Sequence, residues 1–166
     1  MIAAGAIVLV IASSVSFAAP ENDRIRVGRA IAPVPLDLAG KDRKQVWLGS
    51  YIVNAQGGCN DCHTAPPYAE GGDPFLGEPE QMNTERYLCG GGDFGPVISA
   101  DISPDEDGRP AGLKRGEFIR LLRTGVTAEG ELLQVMPWPV FGKMTRRDLA
   151  AVYAYLSAIP SCSAEP

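Results

Sequence analysis

Histidine is the scarcest chemically useful residue in this 166-residue sequence, which contains His63 and no other histidine. A single imidazole excludes every site that needs two, such as a histidine-rich zinc site, a paired-histidine phosphoryl-transfer site or bis-histidine metal ligation. Basic residues are also few, because 15 Lys and Arg stand against 20 Asp and Glu and give a net charge of −5. Proteins that bind nucleic acid present basic surfaces to the phosphates, so this balance argues against nucleic acid as a partner.

Aromatic residues are scarce as well, at 7% of the chain, whereas 19 Gly and 14 Pro make about one residue in five a turn former. Long loops are therefore expected, and strand-rich or long-helix architectures are disfavoured. The apolar fraction of 45% is enough for a packed core, and the length predicts one domain. With so few aromatic side chains in a loop-rich domain, we expect a bound group to fill part of its centre.

Charge is absent from residues 1–19, which are predicted to be a signal peptide or an N-terminal anchor. Ile7–Ile11 is the apolar centre of this segment, and Ser16-Phe17-Ala18 supplies the small residues that precede a cleavage site. An uncleaved membrane helix is the alternative, because about 20 apolar residues can span a bilayer. Both interpretations place the rest of the chain outside the cytoplasm. We expect a periplasmic protein that is tethered to the membrane only if the segment is retained.

The remaining chain divides into a predicted extended arm at 20–40, a domain at 41–160 and a C-terminal tail at 161–166. Within the domain, charge is uneven: ten acidic residues stand against one arginine from Glu70 to Asp107, and five basic residues against one glutamate from Arg109 to Arg123. A dipolar surface that orients a redox partner is one interpretation. A solvated loop beside a solvated helix is the other.

Apolar spacing predicts three helices in the domain, at 41–55, 114–124 and 145–158. The last of them begins with Thr145 and Asp148 three residues later, a weak capping box. Between the first two helices, residues 64–112 show no helical period. About 50 such residues in a compact domain are typical of loops that wrap a ligand.

The segment Cys59-Asn60-Asp61-Cys62-His63 has the C-x-x-C-H spacing of a c-type haem attachment site. Two thiols on one turn of chain can add across the two vinyl groups at one porphyrin edge, and the next residue then brings an imidazole over the face to the iron. A redox dithiol is an alternative, but no strand–helix–strand pattern surrounds the motif. A zinc site would need four separated donors, so Cys89 and Cys162 would have to complete it. The motif therefore predicts one covalent haem c.

Methionine is the leading candidate for the sixth iron position, since no second histidine exists; lysine at high pH or an open position are the alternatives. Met136 lies in Val135-Met136-Pro137-Trp138-Pro139, where prolines stiffen a loop between the second and third predicted helices. Met82 and Met144 are the other candidates within the domain. A role as core filler is the alternative for Met136. We predict that His63 and Met136 bind the iron.

These segments resemble a class I, single-haem cytochrome c, in particular the cytochrome c modules of bacterial dehydrogenases of alcohols, aldehydes and sugars. The resemblance covers about residues 41–160. It rests on Gly57-Gly58-Cys59-Asn60-Asp61-Cys62-His63-Thr64, Asp101-Ile102-Ser103-Pro104-Asp105, Phe118-Ile119-Arg120-Leu121-Leu122-Arg123-Thr124-Gly125, Met136-Pro137-Trp138 and Leu149-Ala150-Ala151-Val152-Tyr153-Ala154-Tyr155-Leu156. It implies an all-α fold in which three main helices and long loops surround one covalent haem, and the first and last helices cross near the haem edge. It also implies His63 and Met136 as axial ligands.

Two features depart from that subgroup. Asp101-Ile102-Ser103-Pro104 stands where the subgroup commonly has Asn-Ile-Thr-Pro, and an aspartate near the haem propionates would either repel them or hold a proton. The role of this segment is therefore open. Relatives often carry two or three haem modules, whereas these 166 residues contain one C-x-x-C-H and can attach one haem.

Cys89 and Cys162 lie outside the motif, and a disulfide between them is expected in an oxidising compartment. It would tie the glycine-rich loop to the C-terminus. Two free thiols are the alternative.

The predicted function is one-electron transfer rather than catalysis, because two protein ligands leave no iron position for a substrate. The resemblance implies a periplasmic dehydrogenase or a quinol-oxidising complex as donor and an oxidase of the respiratory chain as acceptor. The alternative is an enzyme or a gas or redox sensor with five-coordinate haem. Peroxidase-type chemistry would lack its usual base there, because no distal histidine exists.

Overall fold

The computed structural model describes residues 19–162, and this part of the chain is helical and contains isolated bridges instead of a β-sheet. Its α-helices are α1 (Ala19–Ile31), α2 (Arg43–Tyr51), α3 (Cys59–His63), α4 (Arg115–Thr124), α5 (Trp138–Phe141) and α6 (Arg146–Leu156). This architecture agrees with the predicted all-α class. None of the helices in residues 19–162 is both long enough and apolar enough to cross a membrane. The predicted signal peptide or anchor lies outside the described residues, apart from its last residue, and so does the tail beyond residue 162.

All three helices predicted from apolar spacing are present. The helix predicted at 41–55 is α2, extended by a π-helical turn at Ile52–Gln56, and the other two are α4 and α6. The predicted cap of α6 is confirmed, because the Thr145 hydroxyl oxygen accepts the Asp148 N–H at 3.0 Å. Local signals were therefore sufficient for these elements.

The prediction of an extended arm at 20–40 is wrong, since most of this segment forms α1. Contacts with other elements hold the helix in place. Arg24 forms an ion pair with Asp148 at 3.2 Å, and Gly28 lies so close to the Trp47 carbonyl oxygen that a Cβ there would collide with it. A 13-residue helix is marginal by itself in water. Packing against α2, together with ion pairs to α6, therefore decides its conformation, which its own apolar pattern does not predict.

The core lies where α2 crosses α6, and Gly49 makes this close crossing possible. A Cβ at position 49 would collide with the Ala151 carbonyl oxygen and lie 2.6 Å from the Tyr155 Cβ. Leu149 and Val46, one from each helix, are fully buried beside this contact. The two helices thus approach with backbone against backbone.

Replacing Gly49 with alanine is expected to lower the free energy of unfolding by about 2 kcal/mol, as in other overpacked cores. The added methyl group must displace the α6 backbone, and this cost exceeds the gain of up to about 1 kcal/mol in helix propensity. Urea denaturation measures the change. Gly116→Ala is the matched control, since nothing lies near a Cβ at this α4 position and stability should stay equal or rise. If Gly49→Ala were as stable as the unaltered protein, the close crossing of α2 and α6 would be wrong.

The segment predicted to be a long loop, residues 64–112, contains one 3₁₀ turn, Pro74–Leu76, and no longer helix. The expected disulfide joins Cys89 to Cys162, with their Cα atoms 5.6 Å apart. The Cys162 N–H also donates to the Ser103 hydroxyl at 3.0 Å. The bridge therefore ties the middle of the loop to the chain that follows α6.

Candidate haem-binding site

The C-x-x-C-H segment forms the short helix α3, and two glycines lead into it. The Gly57 N–H donates to the Ile52 carbonyl at 2.7 Å and closes the π-helical turn. Gly58 then takes a left-handed conformation, with φ of +56°, as the residue that caps α3. Glycine adopts this conformation without strain. Cys59 and Cys62 follow on one helical turn, and neither takes part in the disulfide of the described residues.

The two thiols and His63 line an apolar cavity of about 640 Å³. Its volume is in the range of cofactor sites. Its walls combine α4, α6 and two loops, with Ile102, Phe118, Leu121, Leu122, Leu133, Val152 and Leu156 among the lining side chains. Paired thiols, an adjacent imidazole and apolar walls are the groups that a covalent haem requires, so the residues present fit this cofactor.

His63 is oriented by main-chain contacts. Its Nδ1 lies 2.7 Å from the Ala100 carbonyl oxygen. A carbonyl can only accept, so Nδ1 carries the proton and Nε2 keeps its lone pair for a metal. Burial lowers the pKa of His63 below its usual value, although the Ala100 hydrogen bond and Asp101 act in the opposite direction. The imidazole is therefore neutral at pH 7, the form that binds iron.

Of the three methionines considered as ligands, the structure brings two to the cavity. Met136 and Met144 both line it, whereas Met82 packs against the core elsewhere. Met136 precedes α5, whose Trp138 N–H donates to the Met136 carbonyl at 2.8 Å. Among the described residues that line the cavity, none is a lysine. The methionine candidates are thus reduced from three to two.

The thiols do not have the properties of a redox dithiol, and the two other cysteines are not available to a zinc site. Burial raises the pKa of the Cys59 thiol to about 12, and burial together with Asp61 raises the pKa of Cys62. A reactive dithiol needs the thiolate, which a lowered pKa favours. Cys89 and Cys162 are bonded to each other, so they cannot complete a four-ligand zinc site.

The segment that begins with Asp101, whose role the sequence left open, lies beside His63. The Asp101 carboxylate accepts the Ser103 N–H at 2.7 Å and turns the chain. Its neighbour Ala100 supplies the carbonyl that holds His63. In this structure the carboxylate therefore shapes the loop that positions the histidine.

Sequence reasoning also missed a buried polar cluster that supports the site. The Tyr87 hydroxyl donates to the Asn54 side-chain oxygen at 2.5 Å and lies 3.0 Å from the Tyr155 hydroxyl. Burial raises the pKa of both tyrosines, so both hydroxyls stay neutral. The cluster anchors the chain just before Gly90, whose N–H donates to the His63 carbonyl at 2.6 Å. No local pattern distinguishes these tyrosines from partly exposed ones.

A C-x-x-C-H helix, a neutral histidine fixed through Nδ1 and an apolar cavity together match what the haem site of a c-type cytochrome requires. Comparison with known proteins agrees with this class. The chain is homologous to cytochrome c subunits of bacterial dehydrogenases.

The chain is 30% identical to the cytochrome c subunit of alcohol dehydrogenase (quinone) from Gluconacetobacter polyoxogenes over 129 residues, which are 77% of this chain and 24% of that protein. It is 30% identical to the gluconate 2-dehydrogenase cytochrome c subunit of Pantoea cypripedii over 66% of this chain and 22% of the relative. With the fructose dehydrogenase cytochrome subunit of Gluconobacter japonicus it shares 26% identity over 71% of this chain and 22% of the relative. The chain thus spans about a quarter of the length of these curated relatives. No protein-family model matches it.

Proposed function

We propose that this chain is a periplasmic one-electron carrier with a single haem c attached through Cys59 and Cys62 and ligated by His63 and Met136. The observation that supports it best is the cavity, which brings two thiols, a neutral imidazole and a thioether together from α3 and the loop before α5. The haem, when bound there, supplies an iron that alternates between the ferrous and ferric states. The thiols fix its edge, His63 offers Nε2, and the apolar walls exclude water. In this proposal α2, α4 and α6 are the three main helices of a class I cytochrome c.

Met136 is the preferred ligand of the two cavity methionines. It lies in the loop before α5, and Pro137 restricts the backbone of that loop. The thioether can therefore be held at a fixed position relative to the iron. Met144 also lines a second, more polar pocket with Arg24 and Asp148. This position at the boundary of two pockets fits a packing role.

The proposed donors are a dehydrogenase or a quinol-oxidising complex, and the proposed acceptor is a downstream oxidase. Homology supports the first of these, since the relatives are cytochrome subunits of dehydrogenases. The disulfide supports a periplasmic location, because disulfides persist in oxidising compartments. In such a complex this chain would transfer electrons, and another subunit would carry out the oxidation.

Covalent attachment is the first test. Protein matured in a bacterial periplasm should keep its colour after acid–acetone extraction, and Cys59→Ser/Cys62→Ser should lose all of it because no thioether bond can form. Cys89→Ser/Cys162→Ser is the matched control, since it removes two cysteines outside the cavity and should keep the covalent haem. The measurement is the absorbance of the protein pellet after extraction. If colour is extracted from the unaltered protein, covalent attachment is wrong and the proposed function fails.

A further inference from the structure

Two large apolar side chains project into solvent from the loop at residues 66–83. Phe75 is 81% exposed and Leu76 is 75% exposed, and both lie in the 3₁₀ turn at its tip. Neither side chain lines the haem cavity. Adjacent, strongly exposed large apolar side chains are typical of a surface that binds another protein.

The tip has a defined backbone. The Asp73 carboxylate accepts the Phe75 N–H at 2.8 Å, and the Glu78 carboxylate accepts the Asp73 N–H at 2.8 Å. Below the tip, the Gln81 N–H donates to the Gly72 carbonyl at 2.9 Å, and this bond joins the segment that enters the tip to the segment that leaves it. A surface that is already ordered loses little conformational entropy when it docks.

The base of the 66–83 loop is attached to the helix that carries the haem-binding thiols. The Tyr68 hydroxyl donates to the Asp61 carboxylate at 3.0 Å, and Asp61 lies between Cys59 and Cys62 in α3. The Asn60 side chain of α3 also donates to the Pro67 carbonyl at 3.0 Å. A protein bound to the tip would therefore be held beside the attachment helix.

Four carboxylates share the 66–83 loop with the two apolar side chains. Glu70, Asp73, Glu78 and Glu80 belong to the loop, and no lysine or arginine occurs between residues 64 and 85. None of these four forms a salt bridge with any residue in 19–162. Burial raises the pKa of Tyr68 to about 12, and the carboxylates of Asp61, Glu80 and Asp73 act in the same direction. The complementary surface is an apolar recess bordered by Lys and Arg.

We infer that the 66–83 loop is the docking element for the electron-donating dehydrogenase subunit, with Phe75 and Leu76 entering an apolar recess that basic side chains surround. This inference rests on the proposed function and adds to it the surface that recognises the donor. Apolar burial at the tip would set the lifetime of the complex, and the carboxylates would set its rate of formation. Docking here is independent of the iron ligands, so it can be tested without altering the cavity.

The test uses the haem-loaded protein. The probe is a dehydrogenase of the same organism, reduced by its own substrate and chosen because it reduces this haem fastest. Stopped-flow absorbance gives the second-order rate constant for haem reduction. Phe75→Ser/Leu76→Ser should lower it about tenfold at every ionic strength, the effect of losing a central apolar contact. Glu70→Gln/Glu80→Gln should lower it several-fold at low salt, and the difference should vanish at high salt because screening removes steering.

Two matched variants control for apolarity and charge. Val140→Ser removes an exposed apolar side chain elsewhere, and Glu106→Gln/Glu129→Gln removes two exposed carboxylates outside the loop. Both should react at the unaltered rate, and all variants should be reduced equally by dithionite.

Equal rates for the Phe75/Leu76 variant and the unaltered protein would overturn the docking proposal alone. If dithionite reduces the haem but no dehydrogenase does, the proposed donor class is wrong and the docking proposal falls with it. If no haem is attached, the proposed function itself fails.

Discussion

Replacing Met136 with alanine is expected to let one carbon monoxide per haem bind to the ferrous protein, whereas the unaltered protein should bind none. The thioether would no longer occupy the sixth iron position, and a methyl group cannot reach it. The ferric form should lose its methionine–iron charge-transfer band for the same reason. The reduction potential should fall, because a neutral thioether favours the ferrous state. Visible spectra with and without carbon monoxide, and a redox titration, measure these changes.

Met144→Ala is the matched control, because it removes a second thioether from the same cavity. Both substitutions delete partly buried methionine side chains, so both should destabilise the fold, by up to about 2–5 kcal/mol if the surroundings do not relax. Only loss of the iron ligand should open the sixth position. If the Met144 variant binds carbon monoxide and the Met136 variant does not, Met144 is the ligand. If the unaltered protein binds carbon monoxide freely, the five-coordinate sensor or enzyme becomes the better description.

Removing the disulfide is expected to lower the free energy of unfolding by about 4 kcal/mol in the loop-entropy model. The bridge joins residues 73 apart, so its loss frees a long loop in the unfolded chain. Urea denaturation of haem-loaded Cys89→Ser/Cys162→Ser, compared with the unaltered protein, measures the difference. The unaltered protein in excess reductant should approach the midpoint of the variant. Equal midpoints for the oxidised protein and the variant would show that the bridge does not constrain the unfolded state.

The sequence by itself determined the parts of this protein that depend on near neighbours. The C-x-x-C-H spacing predicts the two thioether bonds and the histidine ligand of one haem, and five consecutive residues are enough to make that prediction. Helices α4 and α6 were predicted correctly, because their apolar spacing, and the Thr145 cap of α6, involve residues within about two helical turns of each other. The disulfide followed from two cysteines left over in a chain predicted to be exported.

The tertiary structure decided what depends on distant partners. Helix α1 depends on contacts with distant residues, such as the Arg24–Asp148 ion pair. Its own apolar pattern is too weak to predict a helix, because a short helix is marginal without such contacts. The Ala100 carbonyl that orients His63 is a main-chain atom 37 residues away, and any residue at position 100 could supply it. The packing of distant segments also decided which methionines line the cavity, since Met144 lies in its wall and Met82 does not. A local pattern encodes side-chain chemistry and helix period, whereas such contacts follow from how the whole chain packs.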